Sequence, residues 1–151
     1  MEEFVRAAVS QDLDELVRLE AEYRGAAQDS RGGTPWLRDH PAITAADWAE
    51  RLTDGSTHTV VSGIDGAVLG VASVHRDPVR DCACIDRIYV TEAAREVGLG
   101  DAMLDALVQA ARDWGVHDIE AEALPGDRDT KNLYERAGLV ARLIVVNKVL
   151  G

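Results

Sequence analysis

The stretch whose reading decides the fold is Cys82-Ala83-Cys84-Ile85-Asp86-Arg87-Ile88-Tyr89-Val90, followed four residues later by Arg95-Glu96-Val97-Gly98-Leu99-Gly100. The first part is short, apolar and rich in β-favouring side chains, so it reads as a strand. Ile85, Ile88 and Val90 do not share one alternation. A bulge near Asp86-Arg87 restores the alternation by adding one residue to the face count. A mid-sheet bulge frees backbone groups to bond something other than a neighbouring strand, and strands splay at such places. The second part runs into a helix from about Gly98 to Trp114. There Leu99, Met103, Ala106, Leu107, Ala110, Ala111 and Trp114 recur at the helical period, and Gly115 ends it.

A glycine-rich turn at the start of a helix is an anion cradle. Glycines let the backbone turn tightly and approach a ligand, and the first helical N–H groups have no internal partner. The macrodipole adds partial positive charge, so a pyrophosphate fits such a place. A P-loop would need Lys-Ser/Thr after its last glycine, where Asp101-Ala102 stand. A dinucleotide fingerprint would need a third glycine, where Met103 stands.

Working outward, Phe4 to Val9 reads as a strand. Asp12, with Glu15 three residues on, resembles a capping box before a helix carrying Leu13, Leu16, Val17 and Tyr23. Gly25 to Pro41 lacks periodicity and reads as a loop with a helical turn; loops of that length are often functional. Thr44, with Asp47 three on, opens a helix with Trp48 and Leu52. Strands follow from Thr57 to Ser62 and from Ala67 to His75, joined by an Asp65-Gly66 hairpin signal. Beyond the long helix, His117 to Leu124 is a strand with Ile119, Ala121 and Ala123 on one face and Glu120 and Glu122 on the other. A helix from about Asp129 to Ala137 is closed by Gly138, and Val140 to Leu150 is the last strand. The order predicts a mixed α/β sheet with helices on both faces.

The 151 residues suit one domain, 1–151, which buries roughly two thirds of its unfolded surface. No window approaches the roughly 20 apolar residues of a membrane span. The acidic start Met1-Glu2-Glu3 is unlike a secretory signal, so a cytoplasmic location is expected. The net charge of −11 argues against nucleic acid and favours a cationic co-substrate such as an amine. Cys82 and Cys84, at i and i+2 of a strand, read as small apolar residues. No second pair at ligand spacing accompanies them, and no metal is expected.

Arg95-x-x-Gly98-x-Gly100 after a strand ending Ile88-Tyr89-Val90 resembles the acetyl-CoA motif of the GNAT superfamily of N-acetyltransferases. Asn132-Leu133-Tyr134-Glu135-Arg136-Ala137-Gly138-Leu139 resembles the family's second signature. The element order matches over nearly the whole chain, apart from Gly25–Pro41. The resemblance implies a mostly antiparallel sheet of six to seven strands with a splayed parallel pair in its middle. It implies acetyl-CoA lying between the strand ending at Val90 and the strand from His117. Backbone groups of Ile88 to Val90, Tyr89 included, would hold the acetyl carbonyl and pantetheine arm. Those of the loop bearing Arg95, Glu96, Val97, Gly98, Leu99, Gly100 and Asp101 would hold the pyrophosphate. Tyr134 matches the acid that protonates the leaving thiolate. The implied activity is transfer of an acetyl group to a primary amine by direct attack in a ternary complex. The alternative is a non-catalytic acyl-CoA-binding sensor or interaction module.

The base is left open among Glu120, Glu122, Asp86 and His75. Glu96 and Val97 stand where the family often has glycine or a cation. Arg128 and Lys131 stand where it often has Asn and Ala, and could offset Glu96. Trp36, Trp48, Asp29, Asp39 and His40 fall in the region that shapes the acceptor pocket in the family. Dimers are common in the family, so a homodimer is one expected assembly.

Overall fold

The computed structural model describes all of residues 1–151. Its elements run β1 (Glu3–Ala7), α1 (Leu13–Gln28), α2 (Gly33–Asp39), α3 (Ala45–Thr53), β2 (Thr57–Ile64), β3 (Ala67–Asp77), β4 (Cys82–Val90), α4 (Leu99–Trp114), β5 (Asp118–Glu120) and α5 (Arg128–Arg136). The strands form one sheet in the order β1-β2-β3-β4-β5. The first four are antiparallel, and β5 lies parallel to β4.

Local chemistry explains several boundaries. Asp65 and Gly66 both take positive φ, as a tight hairpin between β2 and β3 requires. Thr44 and Asp47 cap α3 reciprocally: the Asp47 N–H donates to Thr44 Oγ1 at 3.1 Å, and the Thr44 N–H donates to the Asp47 carboxylate at 3.0 Å. The Asp12 box does not form. Its carboxylate instead accepts from the Val9 N–H at 2.8 Å and from Arg6, tying the end of β1 to α1.

The sheet separates two cores. On one face α4 and α5 cover Val60, Ala72, Val74 and Ile88 with Met103, Leu104, Leu107 and Leu133. On the other, α1 and α3 cover Val61, Val68 and Val71 with Leu16, Leu19 and Trp48.

Four expectations are corrected. The sheet has five strands, not six to seven. The Gly25–Pro41 region is mostly helical, because α1 continues to Gln28 and α2 occupies Gly33–Asp39. The strand from His117 keeps ladder pairing only over Asp118–Glu120, because β4 and β5 diverge beyond Cys84 and Glu120. Val140–Leu150 pairs with no strand and is exposed throughout. A strand-forming sequence makes a ladder only where a partner edge meets it, and periodicity does not show whether one does.

Candidate active site

The site grows from a fork in the sheet. β5 pairs with β4 only at Cys82, Ala83 and Cys84. Two residues further along, β4 carries its bulge: Ser73 faces Arg87 and Val74 faces Ile85, so Asp86 is the extra residue. From there to Val90 the outer edge of β4 has no strand beside it. Its backbone groups can therefore bond a ligand lying along the fork. The helices close the fork from one side. Tyr134 shares a core cluster with Ile88, and Val90 and Ala121, one from each diverging segment, pack against it.

Beyond Val90 the chain turns through Glu92–Ala94 into the loop before α4. Glu96 and Gly98 both adopt left-handed backbone, with φ of 71° and 87°. Gly98 is the N-cap of α4, and a Cβ there would meet nothing within 4 Å. The N–H groups that open α4 thus lie at an uncrowded loop, a fit for a pyrophosphate. Arg95 folds back: its Nε donates to the Val90 carbonyl at 3.1 Å and its guanidinium lies over Tyr89. Tyr89 turns its hydroxyl to Glu22, so only its backbone is available to the fork. Asp101 is held by Arg136 at 3.0 Å, joining α4 to α5.

Glu96 is exposed in a conformation that costs a side-chain-bearing residue roughly 1–2 kcal/mol. Part of any gain at glycine is lost to the freer unfolded chain. Glu96→Gly is expected to raise stability by up to about 1 kcal/mol in thermal unfolding. A fall would show that the Glu96 side chain contributes a contact worth more than the strain.

Tyr134 is 8% exposed, and its hydroxyl makes no hydrogen bond to another residue. Burial first, then the neighbouring Tyr23, Asp127 and Glu122, pushes it above the ordinary phenol value, so it stays protonated through the neutral range. Glu122 is exposed, and a carboxylate oxygen lies 3.4 Å from His40 Nε2. His40 Nδ1 donates to the Trp36 carbonyl at 2.8 Å, and the two rings stack at 4.1 Å. In the neutral ring Nε2 is thus the free acceptor facing Glu122. The α1–α2 junction brings this group into place. Gly32 sits where a Cβ would come within 2.8 Å of Pro125, and the Gly126 N–H donates to the Arg31 carbonyl. Tyr23 meets Trp36 edge-on at 5.7 Å, completing an aromatic wall.

The other carboxylates are committed. Arg80 and Arg142 grip Glu120 at 2.8 and 2.6 Å and hold its carboxyl below the usual range. Burial alone would push Asp86 up, but the His75 bond at 2.9 Å and Arg51 at 3.0 Å outweigh it and hold the carboxyl down. Asp86 and His75 line a cavity of about 500 Å³ on the α3 side, with Asp47, Glu50 and Asp54 around it. Lys131 donates to the Pro125 carbonyl at 3.1 Å, and Arg128 is exposed with no ion-pair partner. Neither makes a contact with Glu96. Trp48 is completely buried in the α1–α3 core, so it cannot touch an acceptor as expected. Asp39 pairs with Arg38 at the surface, and Asp29 is exposed. Cys82 Sγ, Cys84 Sγ and a Glu120 oxygen lie within 4.8 Å of one another. Burial pushes the Cys82 thiol up to about 11, and Arg80 reaches both Cys84 and Glu120.

One feature carried no periodic signal in the sequence. Arg87 forms a two-pronged bond to Glu20, with Nε to Oε1 at 2.7 Å and Nη2 to Oε2 at 2.9 Å. The pair is buried between β4 and α1, and its guanidinium lies over Tyr23 and Trp36. It supports the aromatic wall from behind. A glutamate among apolar helix positions and an arginine beside Asp86 in a mostly apolar strand were the only hints.

The acetyltransferase (GNAT) family description matches residues 13–139, most of the chain. The chain belongs to the GNAT family. It is thus an acyltransferase by family, and acetyl-CoA is the acyl donor of that family. Among solved structures, this GNAT chain is similar to a point-mutant protein of Bacillus halodurans at 18% identity and TM-score 0.79, covering 97% of this chain and 99% of that one. It is similar to a ribosomal-protein-alanine N-acetyltransferase of Brucella melitensis biovar Abortus 2308 at 21% identity and TM-score 0.68, covering 99% and 100%. A third neighbour is a predicted acetyltransferase of Clostridium acetobutylicum with acetyl-CoA, at 16% identity and TM-score 0.72, covering 97% and 96%. No curated protein matches the chain by sequence. At these identities the solved structures speak for the fold alone. No helix is long and apolar enough to cross a membrane.

Proposed function

We propose that this GNAT domain transfers the acetyl group of acetyl-CoA to a primary amine by direct attack in a ternary complex. The observation that carries the reading is the fork between β4 and β5, with Tyr134 in the same core cluster as Ile88 and with Val90 and Ala121, one from each diverging segment, packed against that cluster. Acetyl-CoA supplies a thioester whose carbonyl carbon accepts the amine and whose sulfur departs. The backbone of Ile88 and Val90, on the open edge of β4, takes the pantetheine arm. The N–H groups of the Glu96–Asp101 loop take the pyrophosphate, with Arg128, next in the chain to the Asp129 that pairs with Arg95, as a free cation. Tyr134 gives its proton to the departing sulfur. Of the candidate bases, Glu122 is the one whose charge is felt at Tyr134, and its carboxylate lies 3.4 Å from His40 Nε2. The Glu122–His40 pair therefore takes the amine's proton.

The net charge of −11 and the acidic rim favour a polycationic acceptor, and a cytoplasmic site of action belongs to the same reading. Thiol release from acetyl-CoA across a panel of amines tests it. Polyamines are expected to turn over faster than neutral or acidic amines at low salt, with the difference shrinking as salt rises. Equal rates across the panel would remove the electrostatic argument. Glu122→Gln is expected to lower kcat/KM by roughly 10²–10⁴. Glu120→Gln should leave it nearly unchanged. A comparable loss in Asp86→Asn instead would move the base to the bulge.

A further inference from the structure

The closed end of the fork carries a group that acetyl transfer does not use. Cys82 and Cys84 stand two apart on β4, so both point to one face, and the parallel partner of Cys84 is Glu120 on β5. In the sequence the two thiols have no second pair at ligand spacing; the fold supplies a third group from β5 instead. Ala83 and Ile119 turn to the α4 core, which leaves the sulfurs and the carboxylate on the opposite face. Cys82 Sγ, Cys84 Sγ and a Glu120 carboxylate oxygen all lie within 4.8 Å of one another. Cys82 is buried, while Cys84 and Glu120 are half-buried, so the group opens to solvent on one side.

A cationic side chain already stands there. Arg80, in the turn before β4, donates from Nη2 to Cys84 Sγ at 3.1 Å and lies 2.8 Å from Glu120 Oε1. Its side chain is about half exposed and comes from a surface turn, so it can swing away without disturbing the core. Arg142 holds the other carboxylate oxygen, Oε2, and can stay. Asp77 and Asp118, the register partners of Cys82 on either side, keep the surrounding field negative. Two thiolates and a carboxylate carry up to three negative charges, against which one guanidinium brings a single positive charge and no bond to sulfur. Soft sulfur ligands select zinc-class cations, and a carboxylate oxygen beside them favours a divalent ion over monovalent copper. Zinc–sulfur bonds near 2.3 Å and zinc–oxygen bonds near 2.0–2.2 Å put tetrahedral ligand atoms roughly 3.5–3.8 Å apart. Side-chain rotation of the cysteines and the glutamate closes the remaining gap.

We propose that Cys82, Cys84 and Glu120 bind a thiophilic divalent cation of the zinc class, which takes the place of the Arg80 guanidinium. Each thiol loses its proton to solvent as its sulfur binds the metal. Three protein ligands leave the fourth position to water. The ion clasps β4 to β5 at Cys84 and Glu120, the last paired residues before the strands separate. Such a clasp fixes where the fork begins and leaves Glu122, two residues further on, untouched. The proposal rests on side-chain placement and is independent of the acetyl-transfer chemistry.

The test uses the full chain, reduced and stripped with a chelator, then titrated with Co²⁺ and afterwards with Zn²⁺. The expected result is one Co²⁺ per chain, with tetrahedral visible bands and a thiolate-to-cobalt ultraviolet band. Zn²⁺, which binds such ligands more tightly, should erase both. Zn²⁺ at about 100 times its Kd is expected to raise Tm by roughly 5–10 °C. Cys84→Ser should weaken Co²⁺ binding by about 100-fold or more and Glu120→Gln by about 10-fold or more, since groups that merely orient ligands already cost roughly 10–100-fold. Both side chains are half-buried at the surface, so both variants should fold. Arg80→Ala should tighten binding several-fold, because the guanidinium no longer competes. Absence of a thiolate band at every Co²⁺ concentration overturns the proposal. A band indifferent to Glu120→Gln overturns it by placing the metal on the cysteines alone. Unchanged or weaker binding in Arg80→Ala overturns it too, because the cation would then not take the guanidinium's place.

Discussion

Tyr134→Phe is expected to lower kcat by roughly 10²–10⁴ while leaving acetyl-CoA affinity nearly unchanged. The substitution keeps the ring that packs in the α4–α5 core and removes only the hydroxyl, which bonds no other residue. Stability should therefore move little, within about 0.5 kcal/mol. The sign of the proton argument follows from burial. Desolvation holds the phenol protonated well above neutral pH, so the proton is present throughout the working range. Loss of rate in the variant should be uniform across that range, since the group removed does not titrate within it. Single-turnover and steady-state measurements with the best amine of the panel would show this. A variant with wild-type kcat would take the acid role from Tyr134 and leave the departing thiolate to water.

Glu20→Ala is the substitution expected to harm the fold most. It leaves the Arg87 guanidinium, 6% exposed, without its counter-charge, and strips the Ile43 N–H of its 2.8 Å acceptor. Removing one partner of a buried pair costs about 3–5 kcal/mol. At roughly 2–4 °C per kcal/mol for a domain of this size, Tm should fall by about 10–15 °C. The double variant Glu20→Leu with Arg87→Met should recover much of that loss, because no unpaired charge then remains buried. If the single variant is as stable as the wild type, water must reach Arg87 and the pair is not a structural anchor. The double variant carries a second consequence. Without the guanidinium over Tyr23 and Trp36, the aromatic wall loses its backing, and KM for the amine should rise more than kcat falls.

Much of the site was legible in local sequence. The broken alternation across Ile85, Ile88 and Val90 placed the bulge, and the sheet register puts the extra residue at Asp86. Gly98 and Gly115 marked the ends of α4 because both need left-handed backbone. The signature around Tyr134 placed it on a helix, and that helix packs the tyrosine beside the fork. These are short-range consequences of backbone sterics and periodicity, which a few neighbouring residues settle among themselves.

Other features depended on partners far along the chain. Glu20 and Arg87 are 67 residues apart, and nothing in either neighbourhood announces the other. Glu120 and Glu122 looked equivalent on one strand face. Arg80 and Arg142 neutralise the first, while His40 from the α1–α2 region joins the second. Trp48 resembled a pocket residue by position and is core by packing. Val140–Leu150 has every local mark of a strand and forms none in the single chain.

The sequence by itself determined the turns, the caps and the glycine turn at Gly98 that opens the long helix. Each depends on groups a few residues apart, where backbone geometry leaves little choice. Tertiary structure alone decided which carboxylate escapes the arginines, which aromatics pack together and how far β5 stays paired to β4. Those outcomes come from long-range pairing and burial, in which one charge is neutralised and a chemically identical one is left exposed.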